Sequence, residues 1–287
     1  MDNENSNNNN SITTTAANSN DTEEYSLASD LFMELASELR CSILVFVSKK
    51  PSKLSLLARE FKTTVQDVHR NTNRLMEAGL VKKKEDGAIY LTEYGRIIVK
   101  QVPYFIFMKK HARYFEEHSL DGIPEKFVQR IGSLQNAKLV YSVAAVMEKI
   151  KRIESSTQKK LKIMLSQAWA EEGKIIIELL MHGIQVQTIR GGNTVHPKEI
   201  ESIVKMIERH PTNDKKLEPR MVDKVNVALY ISDDKDAAVI FPNKNGEIDM
   251  NAIFIGNDAE FYEWCKDLFD YYWSRAGYFD SKKTRWV

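Results

Sequence analysis

The sequence predicts two domains of different class, a small, mostly helical α+β unit followed by an α/β unit. Three observations carry this division. Apolar residues recur at helical spacing from Leu31 to Val47, and shorter helical patterns follow. A basic hairpin signal, Asp86-Gly87 between two β-prone runs, then interrupts the helices. From about Leu161 onward, short apolar strands alternate with helical stretches, as in a sheet covered by helices. A chain of 287 residues, 43% hydrophobic and 28% charged, can bury a core in each unit.

Residues 1–28 open with an Asn- and Ser-rich stretch that has little to bury, so a disordered tail is expected. Met1 to Asn20 lacks the basic and apolar blocks of a secretory leader, so none is expected. Order should begin near Tyr25 to Asp30. Leu31, Leu35, Leu39, Ile43 and Val47 then fall at every fourth position, one face of a helix that Lys49-Lys50-Pro51 ends. Leu54, Leu57 and Phe61 mark a second helix. Thr63-Thr64 begins a third, from about Val65 to Ala78, where Thr64 and Asp67 form a variant capping box and Gly79 supplies the stop. A hairpin spans Leu80 to Leu91, and Thr92 caps a helix through Ile97, Ile98 and Val102. Helix, helix, helix, hairpin, helix is the order of a winged helix-turn-helix, assigned to residues 29–104.

Residues 105–155 read as a helical linker, broken by Asp121-Gly122 and Pro124. Residues 156–275 read as the α/β domain. It has a strand at Leu161–Leu165, a helix at Glu172–His182 ending at Gly183, and an alternating strand at Ile184–Ile189. A helix at Pro197–Glu208 follows, then paired strands at Met221–Ile231 and Ala237–Phe241, a turn at Asn245-Gly246 and a strand at Ala252–Ile255. An aromatic-rich helix, Glu260–Trp273, closes it. Residues 276–287 are left as a tail.

On the third helix, Val65, Val68, Thr72, Leu75 and Met76 fall on one side, and Gln66, Asp67, Arg70, Asn73, Arg74 and Glu77 on the other. A helix lying in a major groove needs such a face, since amides read adenine edges and arginine forks read guanine. The N-terminal half reaches the bases. Gln66, His69 and Arg70 are therefore the expected reading positions, with Arg74 near phosphate and Thr64, at the helix start, also in the expected DNA-binding set. Lys82, Lys83 and Lys84 sit in the hairpin, two of them on its open side, as phosphate anchors. From Asp30 to Gln101 there are 13 Lys or Arg against 9 Asp or Glu, while the whole chain carries only +1. Lys109, Lys110, His111 and Arg113 either extend this basic surface or are plain exposed residues. The expected partner is double-stranded DNA, bound by a homodimer on two half-sites.

Other classes find little support. Cys41 and Cys265 are isolated within apolar helical patterns, which fits buried thiols in a reducing cytoplasm and gives no disulfide framework or metal-ligand set. No apolar run reaches the ~18 residues of a membrane span. No cofactor motif, nucleophile elbow or phosphate loop is present. Gly191-Gly192-Asn193 is either an anion-binding loop or a plain turn. For a small-molecule effector, Arg190 and Arg220 at strand ends and Tyr230 are the candidates, with Trp169 as a further wall. Phe261, Trp264, Phe269, Tyr271, Tyr272 and Trp273 read as packing or a dimer interface.

The run Leu75-Met76-Glu77-Ala78-Gly79-Leu80-Val81 resembles the end of a recognition helix in ArsR- and MarR-type winged helices. The stretch Leu31–Arg96 resembles a group of archaeal regulators in which the winged helix precedes a methanogenesis regulatory, Fil-type effector domain. Phe127-Val128-Gln129-Arg130-Ile131-Gly132 and the segment Trp264 to Trp273 are similar to that family's C-terminal blocks. The resemblance spans about residues 30–275. It implies a transcriptional regulator whose sensor domain has a phospholipase D-like fold, as in TrmB-type regulators. Phospholipase D chemistry needs His-x-Lys-x-x-x-x-Asp. His196-Pro197-Lys198 begins that motif, but Ile203 stands where the Asp is required, so no enzyme is expected. The alternative to a DNA-binding regulator is a winged helix acting as a protein-interaction adaptor.

Overall fold

The computed structural model describes residues 19–198, 201, 216–233 and 235–287, and divides the chain into two compact units, Met1–Lys100 and Gln101–Val287. In the first, α1 (Ser19–Leu35) and α2 (Glu38–Lys49) are followed by β1 (Ser52–Lys53), α3 (Leu54–Glu60), α4 (Val65–Glu77), β2 (Val81–Lys83), β3 (Ala88–Leu91) and α5 (Glu93–Val99). The three strands form an antiparallel sheet in the order β1-β3-β2.

Local chemistry sets the boundaries. Side-chain oxygens of Ser37, Thr64 and Thr92 accept from the amides of Arg40, Asp67 and Gly95, capping α2, α4 and α5. Gly79, at φ +72°, ends α4 and lets the Leu80 amide return to the Leu75 carbonyl. Asp86 and Gly87 turn the hairpin: the Asp86 carboxylate accepts from the Ala88 amide, and Gly87 adopts φ +87°. Ile43, Leu44, Val47, Leu57, Val68, Leu75, Leu80, Val81, Ile89 and Leu91 make the core.

Two expectations fail here. The apolar face from Leu31 to Val47 is not one helix, because the Ser37 cap breaks it. Among the described residues, α1 already covers residues 19–28, inside the stretch assigned to the disordered tail of residues 1–28.

Among the described residues, the second unit is built on a nine-stranded mixed sheet. Its strands are β4 (Lys138–Tyr141), β5 (Lys160–Gln167), β6 (Gln185–His196), β7 (Leu217–Val222), β8 (Ala228–Ser232), β9 (Asp236–Ile240), β10 (Ala252–Gly256), β11 (Gly277–Tyr278) and β12 (Arg285–Trp286). The order is β11-β7-β6-β5-β8-β9-β10-β4, with β12 beside β6. β5, β6 and β7 are parallel, and the run from β5 through β8, β9 and β10 to β4 is antiparallel.

Alternation along the strands feeds two cores, one on each face. Leu229, Ile231, Val239, Phe241 and Phe254 face α6 (Val102–Lys110), α7 (Ala112–Phe115), α8 (Glu125–Val128), the 3₁₀ turn Ile131–Leu134 and α11 (Ala259–Trp273). Leu161, Ile163, Leu165, Ala228, Tyr230, Ala238 and Ile240 face α9 (Val143–Ser155) and α10 (Ala170–Met181).

The division at Lys100 corrects the expected boundaries. Residues 105–155 are not a linker: Phe107, Tyr114, Phe127, Ile131 and Leu134 lie in the second unit's core, and β4 forms one edge of its sheet. Residues 276–287 are not a tail, since β11 pairs with β7 and β12 with β6. The stretch Met221–Ile231 is two strands separated in the sheet, and only its second half pairs with β9. The helix expected at Pro197–Glu208 lies almost wholly outside the described residues. Phe261, Trp264 and Phe269 are buried, and Tyr271, Tyr272 and Trp273 pack against them, which is the packing reading of that cluster. Cys265 is buried and Cys41 partly so; both are free thiols whose pKa burial raises.

Candidate nucleic-acid interface and a buried polar cluster

On α4, Val68, Thr72 and Leu75 are buried, while Gln66, His69 and Arg70 are exposed on one outward face. Val65, expected inside, is half exposed. Arg70 is three-quarters exposed and pairs with Asp67 at 3.2 Å, one turn back on its own helix. Thr64 is engaged twice with Asp67: its oxygen accepts from the Asp67 amide at 3.0 Å, and its hydroxyl donates to the carboxylate at 2.7 Å. Its role is to start the helix. Arg74, expected near phosphate, is half exposed and engaged within the first unit. Its guanidinium binds the Glu34 carboxylate of α1, which Arg40 also holds at 3.0 Å, and it lines a cleft of about 680 Å³ with Leu31, Glu34 and Tyr94.

Lys82, Lys83 and Lys84 are all exposed. β2 pairs on one side only, and Lys84 lies past its end, over the Tyr90 ring at 5.7 Å. His111 is buried between Phe107 and Phe254 and cannot extend a basic surface; burial, then the neighbouring Lys110 charge, lowers its pKa. Lys109, Lys110 and Arg113 are exposed but belong to the second unit.

In the second unit a polar cluster is buried on the face covered by α9 and α10. Glu154 at the end of α9, Glu172 in the first turn of α10, Arg190, Thr194 and His196 on β6, and Tyr230 on β8 are each at least nine-tenths buried. Glu154 donates a hydrogen bond to Glu172. Burial above all, then the Glu172 charge, pushes the Glu154 carboxyl well above the usual carboxylate range. Burial also raises Glu172, against the pull of Arg190. The pair thus shares a proton, and Arg190 balances the remaining charge. Burial and then Arg190 bring His196 down to about 4. Burial and the two carboxyls raise the Tyr230 hydroxyl. Trp169, half buried, stands before α10, its amide donating to Glu172 at 3.4 Å.

Arg220 is elsewhere. Its register partner Ile189 faces α11, whereas Arg190 pairs with Leu165 on the opposite face. Arg220 stacks on Trp273 at 4.2 Å and donates to the Trp273 carbonyl. The Gly191-Gly192-Asn193 segment is a strand irregularity, not an anion loop. The amides of Gly191 and Gly192 are spent on Thr194 and on the Asp223 carbonyl. Among the described residues no group of His, Cys, Asp or Glu could hold a metal ion, and no helix is long and apolar enough to cross a membrane.

Residues 170–275 match a known family. Its model is described as the middle domain of the methanogenesis regulatory protein FilR1, and the match covers about a third of the chain. The FilR1-like segment contains α10, β6 through β10 and α11. It therefore takes in Glu172, Arg190, His196, Tyr230 and the block Trp264 to Trp273, but not Glu154, Trp169 or the block Phe127 to Gly132.

No curated protein matches the chain. Among solved structures it is similar to TrmBL2, an archaeal chromatin protein, at 14% identity over 82% of this chain and 92% of that one, with a TM-score of 0.40. NucT from Helicobacter pylori is 16% identical over 50% of this chain and 99% of its own, with a TM-score of 0.40. Nuc from Salmonella typhimurium, a phospholipase D family member, is 12% identical over 51% and 99%, with a TM-score of 0.36.

Sequence reasoning missed Glu154, Glu172 and His196 as one cluster. The signal was present for two of them. Val146, Ile150 and Glu154 fall four apart on one buried stripe, and Glu172, Ile176 and Leu179, at steps of four and three, form another on α10. A carboxylate on the apolar face of a helix needs a buried partner.

Proposed function

We propose that this chain is a cytoplasmic, DNA-binding transcriptional regulator. Its first unit is a winged helix-turn-helix that reads double-stranded DNA as a homodimer, and its second unit senses a small molecule. The observation that carries the reading is the exposed face Gln66, His69 and Arg70 on α4 beside three exposed lysines on the following hairpin. Helix and hairpin are joined by three residues. That pairing supplies groove-reading side chains and phosphate anchors in one rigid unit.

The FilR1-like segment supports a regulatory role for the second unit. α1 and α5 offer a surface for the second copy, with Tyr25, Leu27, Met33, Tyr94 and Ile97 exposed. The same apolar surface suits the adaptor reading, which has no use for the lysines. Selection of bound fragments from genomic DNA tests the proposal: an enriched, two-fold symmetric sequence is expected. Recovery of no enriched sequence would favour the adaptor.

A further inference from the structure

The buried cluster of the second unit holds more hydrogen-bonding capacity than it uses. Arg190 Nη1 and Trp169 Nε1 are buried without a partner, and Glu154 Oε1 and Glu172 Oε1 have none beyond the proton that the two carboxyls share. A polar atom taken out of water and left short of partners is costly, so four in one site are a strong demand for a guest. They come from α9, α10, β6 and the segment before α10, so no single element's fold requires them.

Their chemistry defines the guest. Two orphan atoms accept and two donate. The fork of Arg190 suits a carboxylate, and the indole N–H adds a second donor to it. The two carboxyl oxygens suit an ammonium group. The cluster is already balanced, with one carboxylate charge against Arg190. A guest with net charge would leave a buried charge uncompensated, and an apolar guest would satisfy none of the four atoms. Hydrogen bonds between ionised partners are about twice as strong as neutral ones, which favours a zwitterion over a polyol.

We infer that Glu154, Glu172, Arg190 and Trp169 form the effector site, and that its ligand is a small zwitterion with a primary ammonium and a carboxylate, the chemistry of an α-amino acid. Arg190 and Trp169 hold the carboxylate, and the two glutamates hold the ammonium. The inference rests on the sensor reading of the second unit and is independent of whether the first unit binds DNA.

Thermal unfolding of the full chain tests it without DNA. The probes are the twenty standard amino acids in pools, with lactate, ethanolamine, glycine betaine and glycerol as controls. At least one pool should raise the melting temperature, by about 5 °C at a hundredfold excess over Kd. The controls, which lack the ammonium N–H, the carboxylate or both, should not. No shift from any pool, or an equal shift from a control, would overturn the inference.

The double variant Glu172→Gln/Arg190→Met removes both charges together and should abolish the shift. Trp169→Phe removes only the indole N–H from a half-buried side chain and should weaken binding roughly tenfold, as loss of a single donor does. It serves as the readout if the double variant fails to fold. A shift unchanged in Trp169→Phe and in the double variant would contradict the assignment.

Discussion

Arg74 of α4 and Glu34 of α1 form an ion pair across 40 residues of sequence, and Arg40 holds the same carboxylate from α2. The arginine that helical spacing assigned to DNA is thereby turned into a tie between helices. Arg74→Met should lower the stability of the first unit by about 0.5–1 kcal/mol, since the arginine is half exposed and Arg40 keeps Glu34 paired. The salt dependence of DNA binding should not change. Denaturant titration and salt-dependent binding measure both, and a shallower salt slope would return Arg74 to the phosphates.

Gly95 packs against the backbone of Leu80, and a Cβ there would lie 2.0 Å from the Leu80 carbonyl oxygen. Gly95→Ala should therefore cost about 2 kcal/mol or more by forcing α5 away from the hairpin, on the order of other overpacking substitutions. Gly277→Ala, with open space around it, should be near neutral. Parallel urea titrations check the pair, and a neutral Gly95→Ala would refute this packing.

Glu154 keeps its proton in the folded chain, whereas an unfolded carboxyl loses it near 4.5. Its contribution to stability is therefore complete below about pH 4.5 and falls as pH rises through the raised folded value, at up to about 1.4 kcal/mol per pH unit. His196 works in the opposite sense. Its folded value of about 4 lies below the ordinary 6.5, so its contribution is complete above 6.5 and is lost as pH falls towards 4. Glu154→Gln fixes the neutral form, so the variant should gain on the wild type as pH rises above about 5. Melting curves that stay parallel over that range would mean that Glu154 is ionised in the folded state.

Lys82, Lys83 and Lys84 changed together to Ala should weaken binding to every DNA sequence. They should also flatten the plot of log K against log salt by roughly 2–3 units, about 0.9 for each phosphate no longer neutralised. Titrations at four salt concentrations decide it; an unchanged slope would remove the hairpin from the interface.

The sequence showed most where a pattern is local. Caps at Thr64 and Thr92, the Asp86-Gly87 turn and the apolar stripe of α4 were legible because neighbours within four residues fix them. What it hid depends on distant pairing. Residues 105–155 carry helical patterns but no sign that Phe107 and Phe127 belong under a sheet whose central strands lie far along the chain. The fate of Arg74 was hidden because Glu34 lies on another helix. Arg190 was picked out as an expected strand end and Tyr230 by its aromatic type; both instead lie within strands, β6 and β8, in the buried polar cluster. Arg220 was not separable from them until the β6–β7 register put it on the other face.

The central claim is that α4 reads base edges, and Arg70 tests it most directly. Its guanidinium is three-quarters exposed and pairs with Asp67 on the same helix, so it can turn to a guanine without breaking a tie to another element. Arg70→Ala, titrated against the selected sequence and a scrambled one at fixed salt, should lose about 1–3 kcal/mol on the selected sequence and far less on the scrambled one. Equal losses on both would contradict base reading by Arg70 and leave it a phosphate contact.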